Sequence, residues 1–201
     1  MIPRSFEYFS PESLDDALGL LTKYGDDAKI LAGGQSLIPI MKFRLASPKY
    51  LIDVKKIPEL SYVKETSNGG LAIGALTPYY HVENSPLVAK KYPILTETIT
   101  GIGDMHIRNR GTVGGNLCHN DPAADLPTTM VCLKAEVNVA GPQGKRTVNI
   151  KDFLVDLFTT NLKSNEIMTE VNIPPPPRVG GGAYLKLAHV GGDFVIVAAA
   201  A

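Results

Sequence analysis

Apolar positions recur at two different periods along this chain and divide it into helical and extended segments. Leu14, Ala17, Leu18, Leu21 and Tyr24 share one face at helical spacing. Ser10 and Pro11 ahead of them suit an N-cap and a first helical position, and Gly25 behind them suits a C-terminal stop. Residues 29–31 are an expected strand, 36–43 a short helix, and 50–54 a second strand carrying Leu51, Ile52 and Val54. Together they make a small β-α-β unit. Expected strands at 60–65 and 71–76 flank Asn68-Gly69-Gly70, a hairpin signal. Thr77-Pro78 opens a helix in the same style as Ser10-Pro11, and 86–91 and 94–99 read as helices. Asp121-Pro122 caps another helix, with Leu126, Met130 and Leu133 inward. A hairpin of 136–140 and 147–150 turns at Gly141-Pro142-Gln143-Gly144, followed by a helix at 151–157 and a strand at 167–173. Hairpins interleaved with helices predict an α+β fold rather than a doubly wound sheet.

Pro174-Pro175-Pro176-Pro177 is a stiff spacer and Gly180-Gly181-Gly182 a flexible one, so a boundary is expected there. The predicted division is 1–55, 56–177 and 178–201. The last part holds a strand at 184–188 and an apolar segment at 194–201. It is too short for a domain of its own, and is expected to be truncated or completed by a partner.

Lys plus Arg and Asp plus Glu both number 20 in 201 residues, a balance that argues against a dedicated nucleic-acid binder. Hydrophobic residues, at 44%, suffice for a core. No apolar run spans a membrane and residues 1–5 begin no secretory signal. Cys118 and Cys132 give neither a disulfide framework nor metal-ligand spacing. A reduced, cytoplasmic setting is expected.

Candidate chemistry sits in two glycine segments, Ala32-Gly33-Gly34-Gln35-Ser36 and Gly111-Thr112-Val113-Gly114-Gly115-Asn116. Each pairs adjacent glycines with a hydroxyl residue. Glycine lets backbone approach a ligand with no Cβ in the way, and successive N–H groups form concave anion sites. Two such loops brought together would hold a pyrophosphate, hence a dinucleotide. Alone, the first is equally a tight turn. Neither a Rossmann Gly-x-Gly-x-x-Gly nor a P-loop is present. The second lies in a long loop-like stretch dense in small and polar residues, from Ile107 to Pro127. There Asp125 suits either ribose hydroxyls or the first turn of a helix. Arg108 and Arg110 are either pyrophosphate contacts or solvated, and His119 either faces a ligand or lies at the surface. Cys118 is expected to be inert. No nucleophile–base pair is visible, so the chain reads as a holder for a cofactor that carries the chemistry.

These residues resemble a known family. Ala32-Gly33-Gly34-Gln35-Ser36-Leu37-Ile38-Pro39 with Leu51-Ile52-Asp53-Val54, and Arg110-Gly111-Thr112-Val113-Gly114-Gly115-Asn116 with Asp121-Pro122-Ala123-Ala124-Asp125-Leu126-Pro127, resemble the two FAD loops of molybdenum hydroxylase medium subunits. The carbon monoxide dehydrogenase medium chain type is the nearest in look, and the FAD domains of xanthine dehydrogenase are its relatives. The resemblance implies a two-subdomain FAD fold of the vanillyl-alcohol oxidase type. It implies cofactor contacts from Ala32 to Leu37 and from Gly111 to Asn116, with Asp125 near ribose or ribityl hydroxyls and Lys186 near the flavin. It also implies a [2Fe-2S] small subunit and a molybdopterin large subunit in a dimer of heterotrimers, with electrons leaving FAD for an acceptor such as quinone or NAD. Gln35 stands where the family often has His, residues 188–194 lack an expected arginine, and relatives continue for another small domain. The alternatives are a stand-alone flavin oxidase of the same superfold or a non-catalytic nucleotide-binding module.

Overall fold

Two sheets of opposite character organise the chain, and the glycine segments lie where elements of both come together. A computed structural model describes residues 2–201. The first sheet is parallel. It is built from β1 (Glu7–Phe9), helix α1 (Leu14–Tyr24), β2 (Ala28–Leu31), helix α2 (Leu37–Lys42) and β3 (Tyr50–Asp53). Its strand order is β1-β3-β2. Strand β1 is an addition to the sequence expectation: only three residues long, it has no alternation to reveal it.

Strands β4 (Val63–Glu65) and β5 (Leu71–Gly74) form the predicted hairpin and open the second sheet. Six short helices follow: α3 (Tyr79–Glu83), α4 (Pro86–Lys91), α5 (Pro93–Thr100), α6 (Met105–Arg110), α7 (Val113–His119) and α8 (Asp125–Cys132). Then come β6 (Glu136–Gly141), β7 (Gly144–Asn149), α9 (Ile150–Phe153), β8 (Leu154–Asp156), β9 (Thr159–Thr160) and β10 (Ile167–Ile173). The second sheet is antiparallel in the order β4-β5-β10-β6-β7. A ribbon of β11 (Tyr184–Leu187) and β12 (Val197–Ala200) ends the chain. The mixed helices and antiparallel strands make the α+β fold expected.

The main core gathers on the second sheet, where Leu71, Ile73, Leu95, Ile99, Leu117, Leu126, Met130 and Phe153 are fully buried. A smaller cluster of Ala17, Leu21, Ile52, Val54 and Ile57 seals α1 onto the parallel sheet, and Ile167 from β10 joins it. That residue ties the two layers together.

Several boundaries differ from expectation for local reasons. Helix α1 starts after Ser13, not Ser10. The Ser13 hydroxyl oxygen accepts the Asp16 N–H at 3.1 Å and its O–H donates to the Asp16 carboxylate at 2.6 Å, whereas the Ser10 hydroxyl caps nothing. Thr77 does not cap α3: its hydroxyl takes the Tyr62 N–H and donates to the Tyr62 carbonyl, both at 2.9 Å. Asp121 bonds the Ala123 N–H at 2.9 Å in a tight turn, and α8 begins only at Asp125. The helix expected over 151–157 stops at Phe153. The chain then turns into β8, held by Asn120 Nδ2, which donates to the carbonyls of Asp156 at 2.8 Å and Thr159 at 2.9 Å.

One ion pair makes this region sensitive to acid. Arg146 on β7 grips Glu166 in a two-pronged contact at 2.8 and 2.7 Å, and also donates to the Asn161 side chain and carbonyl. The guanidinium holds the Glu166 carboxyl below its ordinary value against the opposing effect of burial. A carboxyl with a lowered folded pKa contributes stability above its ordinary value near 4.5, and that contribution is lost as pH falls through the folded value. Arg146→Met is therefore expected to move the acid-unfolding midpoint to higher pH, followed by circular dichroism. An unchanged midpoint would remove this pair from the account.

Candidate functional site

The first glycine segment leaves β2 at the C-terminal end of the parallel sheet and turns into α2. Gly33 lies flat against the backbone of the second segment. A Cβ there would overlap the Arg110 carbonyl oxygen and stand 2.9 Å from the Gly111 Cα. Gly34 sits at φ +76°, a conformation that side chains disfavour, with the Ile38 side chain over it. Among the described residues no acceptor takes the N–H groups of Gly33, Gly34, Gln35 or Ser36. The Ser36 hydroxyl caps nothing, and Gln35 Nε2 folds back to donate to the Gly33 carbonyl at 3.2 Å. Four consecutive free amides are what an anion site requires.

The second segment behaves differently, and the expectation of a loop is corrected. Met105–Arg110 and Val113–His119 are both helices, with Gly111 and Thr112 between them. Five of its six amides, all but that of Thr112, are committed within the protein: Gly111 to the Ile107 carbonyl at 2.6 Å, Val113 to Thr77 at 3.1 Å, Gly114 to Ala75 at 2.8 Å and Asn116 to Thr112 at 3.1 Å. The Gly115 N–H goes to the Thr112 hydroxyl oxygen at 3.1 Å. Gly114 and Gly115 are therefore not spare amide donors. Gly114 is small so that α7 can rest on Ala75, whose Cβ would lie 2.6 Å from an added methyl. An added Cβ at Gly115 would stand 3.7 Å from that of Ala32, so the two segments touch here as well.

What the second segment offers a ligand comes from side chains. Asn116 Oδ1 is buried with no partner, an arrangement that costs stability unless a donor is supplied. Among the described residues the arginine ion pairs are those of Arg108 and Arg146; the exposed Arg110 guanidinium is free. Arg108 is structural instead. It holds Glu83 at 2.9 Å and donates to the carbonyls of Ile102 and Gly103.

Asp125 and Lys186 meet at 2.9 Å in a buried ion pair. The Lys186 ammonium also donates to the carbonyls of Gly101 at 2.7 Å and Asp193 at 3.0 Å, which uses all three of its protons. The Tyr184 hydroxyl donates to Asp125 at 2.7 Å, and burial first, then this carboxylate, push the tyrosine pKa up. The clasp pins β11 to α8 and to the loop at 101–104. Sequence reasoning singled out Asp125 and Lys186 separately; Tyr184 and Asn116 Oδ1 carried no local signal as a clasp and an orphan acceptor.

His119 packs its ring against Phe158 at 5.2 Å between centroids. The Cys118 thiol is buried beside the Met168 sulfur, and burial pushes its pKa up to about 12, which makes it unreactive. Among the described residues no group of three or more His, Cys, Asp or Glu side chains is placed to hold a metal. No helix in them is long and apolar enough to cross a membrane.

Residues 4–176 match the family described as the FAD binding domain in molybdopterin dehydrogenase. The chain belongs to that family. It is 44% identical over 200 residues to the carbon monoxide dehydrogenase medium chain of Afipia carboxidovorans, covering 100% of this chain and 69% of that one. It is 41% identical to the corresponding chain of Hydrogenophaga pseudoflava, covering 96% and 67%. Among solved structures it superposes on reconstituted CO dehydrogenase from Oligotropha carboxidovorans with a TM-score of 0.97 at 44% identity, covering 100% of this chain and 70% of that one. Quinoline 2-oxidoreductase from Pseudomonas putida 86 gives 0.94 at 34% identity, covering 100% and 69%. The chain is an FAD-binding medium subunit of the molybdenum hydroxylase type, an oxidoreductase subunit. Its residues fit the cofactor: a run of free amides lies where the two segments touch, and the second segment carries a free arginine and a buried unpartnered acceptor.

Proposed function

We propose that the FAD pyrophosphate lies on the free amides of residues 33–36, with Ala32 and Leu37 flanking it, the Ser36 hydroxyl as a further donor and the Arg110 guanidinium as counter-charge. Asn116 would accept a hydrogen bond from the cofactor. Gly111, Thr112, Val113, Gly114 and Gly115 would shape the opposing wall through packing. Asp125 and Lys186 would border the sugar and flavin end while fixing each other. Bound FAD would supply the redox chemistry that links [2Fe-2S] clusters of a small partner to an external acceptor such as quinone or NAD. Substrate oxidation belongs to a molybdopterin-bearing large partner, within a cytoplasmic dimer of heterotrimers. The domain division at 55 and 177 is part of the same reading.

The observation that carries this reading is the four consecutive free amides beside an unpaired arginine. FAD titration of the purified chain, read by flavin fluorescence, tests it. Arg110→Glu is expected to weaken binding about tenfold or more, the scale of one charge-assisted hydrogen bond, with unchanged circular dichroism. Equal affinity in the variant, or no FAD binding by the folded wild type, would sink the site. Reduction of the flavin by a small substrate without partner subunits would favour a stand-alone oxidase instead.

A further inference from the structure

Asp125 uses its two carboxylate oxygens unequally. Oδ1 takes both protein donors, the Tyr184 hydroxyl at 2.7 Å and the Lys186 ammonium at 2.9 Å. Among the described residues no donor reaches Oδ2, and that atom is not sealed from solvent. A residue only 5% exposed therefore keeps one carboxylate oxygen open and unused. An ionised carboxylate accepts hydrogen bonds and donates none. What fits Oδ2 is a donor, and a bond to a charged acceptor is among the stronger ones.

This oxygen lies near the cofactor segments. Burial, and after it the Asp125 charge, push the pKa of the Tyr79 hydroxyl up. The Tyr79 ring rests on Gly111, its Cε2 standing 2.7 Å from where a Cβ would be. The buried tyrosine thus connects Asp125 to the second glycine segment. Lys186 has no proton to offer a ligand there, because the Gly101 and Asp193 carbonyls take the other two. The aspartate, not the lysine, is left to bond what enters.

Tyr184 is held firmly enough to aim it. Its N–H donates to Glu97 Oε2 on α5 at 2.9 Å, and it is the one buried residue of 178–201. Its hydroxyl is brought to Oδ1 by the backbone of β11. Were that hydroxyl absent, Lys186 would be the sole partner, and one ammonium can bridge both oxygens of a carboxylate. Two donors crowded onto Oδ1 oppose that turn.

We propose that Tyr184 is a positioning residue: it fixes the Asp125 carboxylate so that Oδ2 accepts a hydrogen bond from one hydroxyl of the cofactor's sugar or polyol chain. The proposal rests on the FAD site argued above and adds the accepting atom, the donor class and the residue that aims them. The chemistry recognised is a secondary alcohol, and phosphate oxygens offer Oδ2 no proton.

The test titrates FAD, and analogues each lacking one ribityl or one ribose hydroxyl, into the full chain and into Tyr184→Phe. Binding is read by flavin fluorescence, with circular dichroism and melting temperature recorded. Tyr184→Phe keeps the ring and removes only the oxygen. Its Kd for FAD should rise about tenfold, the scale of one hydrogen bond. One analogue should bind wild type about tenfold more weakly than FAD and be indifferent to the substitution, since the aimed oxygen has no hydroxyl to accept. Which analogue it is tells ribityl from ribose. The others should lose the same factor as FAD. A tyrosine that only supports the fold would weaken every ligand alike, and that result would overturn the proposal, as would unchanged FAD affinity in the variant. Oδ2 meeting a flavin ring N–H would also appear as a uniform loss and overturn it. No FAD binding by the folded wild type would sink the cofactor site itself, whereas FAD binding with a uniform loss would sink this inference alone.

Discussion

Gly33→Ala is expected to destabilise the protein by about 3 kcal/mol, at the upper end of the usual cost of overpacking, and to abolish FAD binding with it. The added methyl would meet the backbone of Arg110 and Gly111, with the Arg110 carbonyl carbon only 2.8 Å away. Backbone cannot rotate aside as a side chain can, so the two glycine segments must separate. Urea unfolding measures the loss. Gly19→Ala is the control. Gly19 lies inside α1 with nothing within 4 Å of an added Cβ, so alanine there should stabilise by about 0.5–1 kcal/mol through helix propensity and reduced unfolded-state freedom. If both variants behaved alike, the close approach of the two segments would not be a determinant of stability.

Lys186→Met is the second large effect. It leaves the Asp125 carboxylate buried at a side-chain exposure of 7% with its cation gone. Breaking one side of a buried pair costs about 3–5 kcal/mol, because the remaining charge is uncompensated. The carbonyls of Gly101 and Asp193 lose their donor as well. Asp125→Asn should also be costly, whereas the double variant should lose much less than the sum of the two. Urea denaturation of all four proteins closes the cycle. Additive losses would show that the two side chains act independently and that the clasp holds nothing together.

Much of the architecture was legible from local pattern. The spacing of Leu14, Ala17, Leu18 and Leu21 marked α1, and Asn68-Gly69-Gly70 marked the β4–β5 hairpin. The strand expected at 167–173 is the central strand β10. The misplaced helix starts share one origin. Ser10, Thr77 and Asp121 all carry the residue type of a helix cap, but Ser13 competes for the first role, Tyr62 claims the Thr77 hydroxyl, and Asp121 turns on Ala123. Cap residues are promiscuous hydrogen-bonding groups, and which one wins depends on neighbours that lie far away in the chain. The short helix α6 escaped notice because Met105–Arg110 buries no residue and so has no apolar face to display.

The two glycine segments show the same division most clearly. Their glycines and hydroxyl residues pointed to an anion-binding cofactor site, and the resemblance of their motifs to known FAD loops pointed to the family. Composition could not distinguish a loop with free amides from a helix start whose amides are spoken for. That difference was decided by the Ala75 and Thr77 carbonyls, which β5 and the turn after it bring up to α7. Gly114, which read as making room for a pyrophosphate, makes room for Ala75 instead. In the same way Asp125 and Lys186 were separate candidates along the chain and became one buried ion pair in space. The sequence by itself determined most of the elements and the cofactor class, and through the resemblance of its motifs the family, because periodicity, glycine content and motif spacing are local properties. The tertiary structure alone decided which amides remain free, which charges are already paired and which face is left exposed. Those depend on where distant carbonyls, carboxylates and side chains are brought into contact.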